Sequence, residues 1–505
     1  MTATHSSHHR PLIIALVLHS VLWLLLPSLL QPNANLDVVE GLTWGQEWQL
    51  GYDKHPLLAP WLTYAITLLS PGSNWPVFLL SQIAVITAFG AQYAVARNFV
   101  SREPALVSTL LLTMVPYYNY LTPEFNPNIL QLAIWALIGY FGFRAINHNL
   151  IRDWILLGIC GGLAMLTKYY SVVLLLAIAC YFLTPAGRVH WKEKGLYIAL
   201  ASAVLVWLPN LIWLIDHDFS TIRYGAARGS GSEKELIDHL LNPLRFGISQ
   251  LLVLIILLPT FFLLLRSGDR YPPAKGTRAA ANRTYLTLLT FGPMVITLLI
   301  SLGTGMKLRS MWGTPLFTFL PLWLMVFSGV VLSDGRIRKL MRVWMITSLF
   351  FASVFIAEML IAPQFGKLKK RAHFPGEAMA TELTEAWKER YPQPLNFVVG
   401  SIWIGGNMAY YSDQHPSILY DADNSRSPWV DNADLLAQGG LIIWNESMDG
   451  EKAQYQKLLK LYPEAQIQPT REYPWHLNSE REPVRIGWAI LPPAHEDKVA
   501  AQRQQ

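Results

Sequence analysis

The chain has 505 residues, 52% of them hydrophobic and only 15% charged, with a formal net charge of +6. Soluble globular proteins carry about 25% charged residues, so the deficit excludes an ordinary soluble fold and points to lipid as the solvent. The excess of Lys and Arg then reads as the cytoplasmic loops of a membrane protein rather than as a nucleic-acid surface.

A polar, His-rich start precedes an apolar run from Pro11 to Leu30. That run is long for a signal-peptide core and no small-x-small cleavage pattern follows it, so it reads as a retained first span. A bilayer-crossing helix needs roughly 20 mostly apolar residues. Further spans are expected near 76–96, 104–120, 128–146, 153–168, 170–184, 195–215, 246–266, 284–303, 311–331 and 342–362. The count is about eleven, and the fifth and sixth are short segments separated by Lys168. Cys160 and Cys180 lie inside apolar runs and are expected as two buried thiols, not as a disulfide or a metal site.

One set of loops collects Arg97 and Arg102, Arg144 and Arg152, the cations of 188–194, 266–283 and 336–342; the alternate loops carry fewer. The positive-inside rule makes the first set cytoplasmic, puts the N-terminus inside, and with an odd count puts the C-terminal part outside. Residues 1–362 are therefore expected as a polytopic α-helical transmembrane domain with a long first outward loop, 31–75. Residues 363–505 read as a small α/β extracytoplasmic domain, with strands at Leu395–Val399 and Leu441–Trp444 and an amphipathic stretch at Met379–Arg390.

The candidate chemistry lies in the outward loops. Asp37 and Glu40 are three apart and share a face if helical. Trp44, Trp48 and Leu50 suggest a stripe lying on the membrane surface, with the carboxylates turned to the protein; the plainer reading is two acids favoured at a helix N-terminus. In Tyr52-Asp53-Lys54-His55-Pro56, proline holds His55 extended before the next helix, where it is either a phosphate-binding group or part of a routine surface turn. The 116–128 loop holds three prolines, several tyrosines, Glu124, Asn126 and Asn128. Irregular backbone at membrane depth must be buried in protein or line a cavity. These polar groups face sugar hydroxyls or a metal, or else Asn126 is a helix cap. Lys168 either snorkels or faces an anion. Lys307 and Arg309, just before Trp312, run against the positive-inside bias, and an anionic lipid headgroup would explain them. No glycine-rich nucleotide loop, metal-ligand spacing or nucleophile elbow is present, which argues against an ATP-driven or nucleotide-sugar enzyme.

These features together resemble the GT-C superfamily of membrane glycosyltransferases, in the branch of the protein mannosyltransferases and the lipid A aminoarabinose transferase. The resemblance rests on the acid at Asp37, the turn G-Y-D-K-H-P-L, the E-F-N-P-N loop, G-L-A-M-L-T-K-Y, K-L-R-S-M-W and the C-terminal N-M-A-Y-Y-S-D-Q-H-P. It implies an inverting transfer from a polyprenyl-phosphate sugar to an envelope acceptor (lipid A or lipopolysaccharide, another glycan, a lipid or a protein) at the outer face of a bacterial inner membrane. By resemblance Asp37 is the general base, with Glu40 as the second acid. Tyr52, Lys54 and His55 then lie near the donor phosphate, with Lys168, Lys307 and Arg309 as further candidates for that task. Glu124, Asn126, Asn128 and Trp312 would face the substrates. No cofactor is implied with certainty, and a divalent metal is compatible. This chain departs from its relatives at Val38, where they have an acid after the aspartate, and at Leu57, where they have a second proline. The six outward residues Asp37, Glu40, His55, Glu124, Lys307 and Arg309 are expected to converge on one cavity. Two other classes stay open: a lipid-linked saccharide transporter, which would show repeated halves and polar groups at mid-bilayer, and a non-catalytic envelope assembly protein.

Overall fold

A computed structural model describes residues 9–230, 235–265, 270, 275–365, 371–477 and 481–494. The first helices are α1 (His9–Leu30), α2 (Leu36–Gly45), α3 (Leu58–Thr67), α4 (Trp75–Ala96) and α5 (Arg102–Leu112). Next come α6 (Pro127–His148), α7 (Ile151–Thr167), α8 (Val172–Leu183), α9 (Lys194–Asp216) and α10 (Ser220–Ser230). They are followed by α11 (Asp238–Val253), α12 (Leu257–Leu265), α13 (Thr277–Thr304), α14 (Leu320–Ser328) and α15 (Asp334–Ile356). The C-terminal part holds α16 (Gly376–Lys388), β1 (Phe397–Gly400), α17 (Ile402–Tyr411), β2 (Ser417–Tyr420) and α18 (Asn432–Gln438), then β3 (Gly440–Asn445), α19 (Asp449–Leu461), β4 (Gln466–Tyr473) and β5 (Val484–Leu491).

The protein is a multi-pass membrane protein. Among the described residues, six helical segments are long and apolar enough to cross a bilayer: α1, α4, α6, α9, α13 and Asp334–Phe365. Two bent pairs bring the number to eight: α11 with α12 at 59°, and Ser310–Phe317 with α14 at 46°. The breaks have a physical cause. Pro259 and Pro321 each lack an N–H, and their rings clash with the carbonyl one turn back, which ends the preceding helix. The other expected spans fall on shorter helices, the 11-residue α5, the 17-residue α7 and Tyr169–Leu183.

The chain divides into two compact groups. The first comprises Met1–Leu26, Lys54–Leu58 and Phe78–Ser353 and is helical. Small residues let its helices approach. Gly158 and Gly162, one turn apart on α7, face α9, and a Cβ on Gly162 would come within 2.6 Å of Val206 and 2.7 Å of the Ala203 carbonyl. Lipid tails are as apolar as leucine, so such close backbone packing, rather than hydrophobicity, holds membrane helices together. Cys160 is buried but Cys180 is exposed on α8, which corrects the expectation of two buried thiols: an apolar helix face turned to lipid is indistinguishable in sequence from one turned to protein.

The second group comprises Pro27–Asp53, Ala59–Val77 and Val354–Gln505. Its sheet has the order β2-β1-β3-β5-β4, with β1 parallel to β2 and β3, and β5 antiparallel to β3 and β4. Alternate residues face opposite ways along a strand. Accordingly Val398, Leu441, Ile443 and Trp488 pack with α16 and α17 residues such as Trp387 and Met408, while Val399, Ile442 and Trp444 pack with Leu435 of α18 and Leu458 of α19. The segment 33–45 folds onto this layer. The Asn33 N–H donates to the Ala372 carbonyl (3.1 Å), the Ala34 N–H donates to the Tyr411 hydroxyl (2.9 Å), and Gly406 leaves room for Val39. The expected surface stripe is therefore split: Trp44 is buried within α2, while Trp48 and Leu50 stay exposed.

Gly162→Leu should destabilise the full-length protein by about 1–3 kcal/mol through overpacking. Gly90→Ala, where nothing lies within 4 Å of the new Cβ, should be neutral or slightly stabilising. Thermal melts in detergent check both, and equal melting temperatures would refute the packing assignment.

Candidate functional site

In the first group, a polar platform forms around Lys168. The break between α7 and α8 places its Nζ 2.5 Å from Asn128 Oδ1, 5.6 Å from the Trp312 ring centre and 6.0 Å from that of Tyr170. Tyr170 is itself fixed by Thr297 (2.8 Å). Asn126 caps α6, its side-chain oxygen accepting from the Asn128 and Ile129 N–H groups at 2.9 and 3.3 Å. Glu124 is half-buried just ahead of that cap. Lys307 and Arg309 are exposed, and the Lys307 N–H donates to the Gly229 carbonyl (3.1 Å), beside Arg228. Their segment is anchored at Ser310, whose carbonyl meets the Tyr117 hydroxyl (2.9 Å) and Gln250 Nε2 (3.0 Å).

His55, half-buried in its turn, belongs to this group. Burial, then the charges of Lys54, Lys168 and Arg228, hold it well below the ordinary histidine value of 6.5. Several cations thus act on one neutral imidazole. A groove of about 630 Å³ runs between α11 and α13, lined by Leu244, Gly247, Leu251, Val295, Leu299 and Leu302. Leu302 in its lining stands five residues before Lys307 in the chain.

In the second group, α2 carries the acids. Asp37 stands half-buried in its first turn and Glu40 is buried on the next. Thr43 Oγ1 lies 2.6 Å from the Tyr420 hydroxyl. Burial pushes Tyr420 well above its usual value, with the Glu40, Glu47 and Asp53 charges adding to it. Tyr52 stacks on Trp44 at 5.3 Å, and its hydroxyl donates to the Trp44 carbonyl (2.6 Å). Asp53 meets Arg426 Nε at 3.2 Å, and Arg426 also holds Asp421 at 2.7 Å.

The structure thus brings Lys54, His55, Asn128, Lys168 and Trp312 into one neighbourhood, with Lys307 placed beside Arg228, and puts Asp37, Glu40 and Tyr52 together in another. The chain passes from the second group to the first between Asp53 and Lys54. Among the described residues, no three His, Cys, Asp or Glu side chains are grouped as a metal ion would need. Tyr420, at the end of β2, and Arg426, in the turn after it, escaped the sequence reading because they lie 377 residues from Thr43 and 373 from Asp53 respectively. Arg228 carried one faint signal, a cation in an outward loop.

Residues 54–213 match the family described as dolichyl-phosphate-mannose-protein mannosyltransferase. The lipopolysaccharide core galacturonosyltransferase RgtA of Rhizobium johnstonii is 24% identical over 453 residues, covering 85% of this chain and 84% of that one. The lipid A galacturonosyltransferase RgtD of the same organism is 31% identical over 190 residues, covering 36% of this chain and 38% of that one. The crystal structure of ArnT from Cupriavidus metallidurans bound to undecaprenyl phosphate superposes with a TM-score of 0.64 at 10% identity, over 97% of this chain and 100% of that one. At that identity the likeness speaks for the fold.

Arg426→Met should cost about 1–2 kcal/mol, because two carboxylates lose charged hydrogen bonds at a half-exposed site. Arg426→Lys should recover only part, since a point charge cannot serve both acids. Denaturation of the full chain measures this, and identical stability of Arg426→Met and wild type would refute it.

Proposed function

We propose that the chain is a membrane glycosyltransferase of the GT-C type, similar to the protein mannosyltransferase and aminoarabinose transferase branch, and that it moves a sugar from a polyprenyl-phosphate donor to lipid A or the lipopolysaccharide core, on the outer face of a bacterial inner membrane. The observation that carries this reading is Lys168, held by Asn128 and facing Trp312, whose charge acts on His55 together with those of Lys54 and Arg228, in the same helical group as an apolar groove between α11 and α13. A donor with an anionic head and a polyisoprenoid tail asks for both. The acceptor class follows the named relatives, which act on the lipopolysaccharide core and on lipid A. Those relatives also make an acidic, galacturonosyl donor the first to assay.

The proposed reaction is a single inverting displacement. The Asp37 carboxylate takes the proton of the acceptor hydroxyl. The acceptor oxygen bonds to the anomeric carbon as the carbon–oxygen bond to phosphate breaks, and the electron pair leaves with the polyprenyl phosphate. Charge grows on that phosphate in the transition state, so fixed cations lower the barrier. Lys168, held by Asn128 and facing Trp312, is a pre-oriented cation. Lys54, Lys307 and Arg309 add to the field, and His55 supplies an N–H donor. Glu40, Glu124 and Asn128 are assigned to positioning the sugar and acceptor. Tyr52, whose hydroxyl donates to the Trp44 carbonyl, and Asn126, whose side-chain oxygen caps α6, are assigned to holding their loops.

Asp37→Asn should cut transfer by about 100-fold or more while the protein still inserts in the membrane. Mass spectrometry of the envelope should then show one polyprenyl-phosphate sugar accumulating and one lipopolysaccharide modification lost. Wild-type transfer by Asp37→Asn would sink the catalytic assignment.

Burial, and then the three cations, keep His55 deprotonated; an arriving phosphodiester would offset the cations and so raise its pKa. Binding of the polyprenyl-phosphate sugar should therefore take up a proton, and tighten as pH falls from the raised value of the complex toward the depressed value of the free protein. The phosphodiester has no titrating oxygen of its own in that range. Calorimetry in buffers of different ionisation enthalpy measures the uptake, which His55→Gln should abolish. Uptake that persists in His55→Gln would remove His55 from the phosphate site.

A further inference from the structure

A second cavity lies at the far ends of the helices that carry the Lys168 platform. Helix α6 has Asn128 in its first turn and Asn147 and His148 in its last; 22 residues at about 1.5 Å each separate the two ends by roughly 33 Å. Around the Asn147 end, the 98–101 turn, the first turns of α13 and the end of α14 enclose about 740 Å³. Three cations, Lys275, Arg278 and Arg283, line this space, and none of its described lining residues is an acid. Arg278 is aimed by Asn147: its Nε donates to Asn147 Oδ1 (3.2 Å) and its Nη2 to the Asn147 carbonyl (3.0 Å). The remaining guanidinium donors are left for another acceptor.

Two helix N-termini reach the same space. Ser101 stands at the N-cap of α5 and Gly276 at that of α13, and neither makes a side-chain capping hydrogen bond. Residues of both first turns line the cavity. Helix starts of this kind favour a negative group by their dipole and their orphan N–H groups. The opposite wall is apolar: Phe99, Phe143, Met325 and Val326. A volume of this size falls in the range of organic-ligand sites, about 300–1,000 Å³, and exceeds what a bare phosphate fills.

We propose that this cavity binds the phosphate-bearing headgroup of an anionic membrane lipid, with Lys275 and Arg278 on the phosphate and the Phe99, Phe143 and Met325 wall along the start of the acyl chains. The site is separate from the one assigned to the donor and sits where the basic loops gather, at the ends of membrane-crossing helices. Its ligand enters laterally from the leaflet on that side. The basic clusters of such loops thereby acquire a specific task beyond setting orientation. Bound lipid ties the end of α6 to the start of α13.

Native mass spectrometry of the full-length protein in neutral detergent tests this, with dioleoyl phosphatidylglycerol, dioleoyl phosphatidylcholine and inorganic phosphate as the three probes. Wild type should retain phosphatidylglycerol about tenfold better than phosphatidylcholine. Lys275→Gln combined with Arg278→Gln should remove that preference, and Arg278→Lys should keep part of it. Lys275→Glu alone changes an exposed side chain and reports on the site even if the double variant fails to fold; it should also weaken retention. Inorganic phosphate in large excess should leave the lipid in place. Equal retention by wild type and Lys275→Glu would overturn the proposal. So would the absence of a preference over phosphatidylcholine, or full displacement by inorganic phosphate, which would assign the cations to a free anion.

Discussion

In hydrocarbon a backbone N–H or C=O without a partner costs several kcal/mol. Every departure from helix within the bilayer must therefore be met by another part of the protein. The helical group shows how this is done. The carbonyl of Tyr118 takes a hydrogen bond from His19 Nε2 (2.8 Å), that of Ser310 takes two, and that of Gly305 takes one from Asn242 Nδ2 (2.9 Å). Each of these acceptors lies in a segment where helix has broken off. Three of the donors, His19, Asn242 and Gln250, are buried polar side chains on apolar helices, residues that would otherwise be a liability in lipid, and the fourth, Tyr117, stands in a short turn. Breaking helices frees backbone for a site, and the breaks fix where the site lies.

Charge obeys the same economy. Lys168 stands at the break between α7 and α8, next to an amide oxygen and two aromatic rings. His55 stays neutral because burial and three cations oppose its proton. Such a field is unfavourable by itself and becomes favourable when an anion enters. The acids are handled differently. In the second group Arg426 is shared between Asp53 and Asp421, while Glu40 and Asp37 are carried by a helix that packs on α17. One group is thus rich in cations and the other in carboxylates.

Sheet and helix packing in the C-terminal part answers a plainer demand. Its two faces alternate along β1 and β3, and helices cover both. The runs at Leu395–Val399 and Leu441–Trp444 announced those strands to within two residues, because period-two burial and continuous apolar runs are local properties. The antiparallel return of β5 and the edge position of β4 were not legible, since they depend on long-range pairing that no local pattern encodes.

By itself the sequence determined the solvent and the segments that become helix, and it carried the gathering of basic residues in alternate loops and motifs that resemble one family of membrane glycosyltransferases. These follow from composition, periodicity and short motifs. It also offered Asp37, His55, Lys168 and Lys307 as outward polar groups, because a charge beside an apolar run is conspicuous. Only the tertiary structure decided that Trp44 turns inward on Tyr52 while Trp48 stays outside, that Asn126 spends its oxygen on a cap, that Cys180 faces outward, and that Arg228 joins the field on His55 while Arg426 holds Asp53. Each of these is settled by which surfaces meet. A one-dimensional pattern can mark a face as apolar or charged, but it cannot say whether lipid, water or another part of the chain will lie against it.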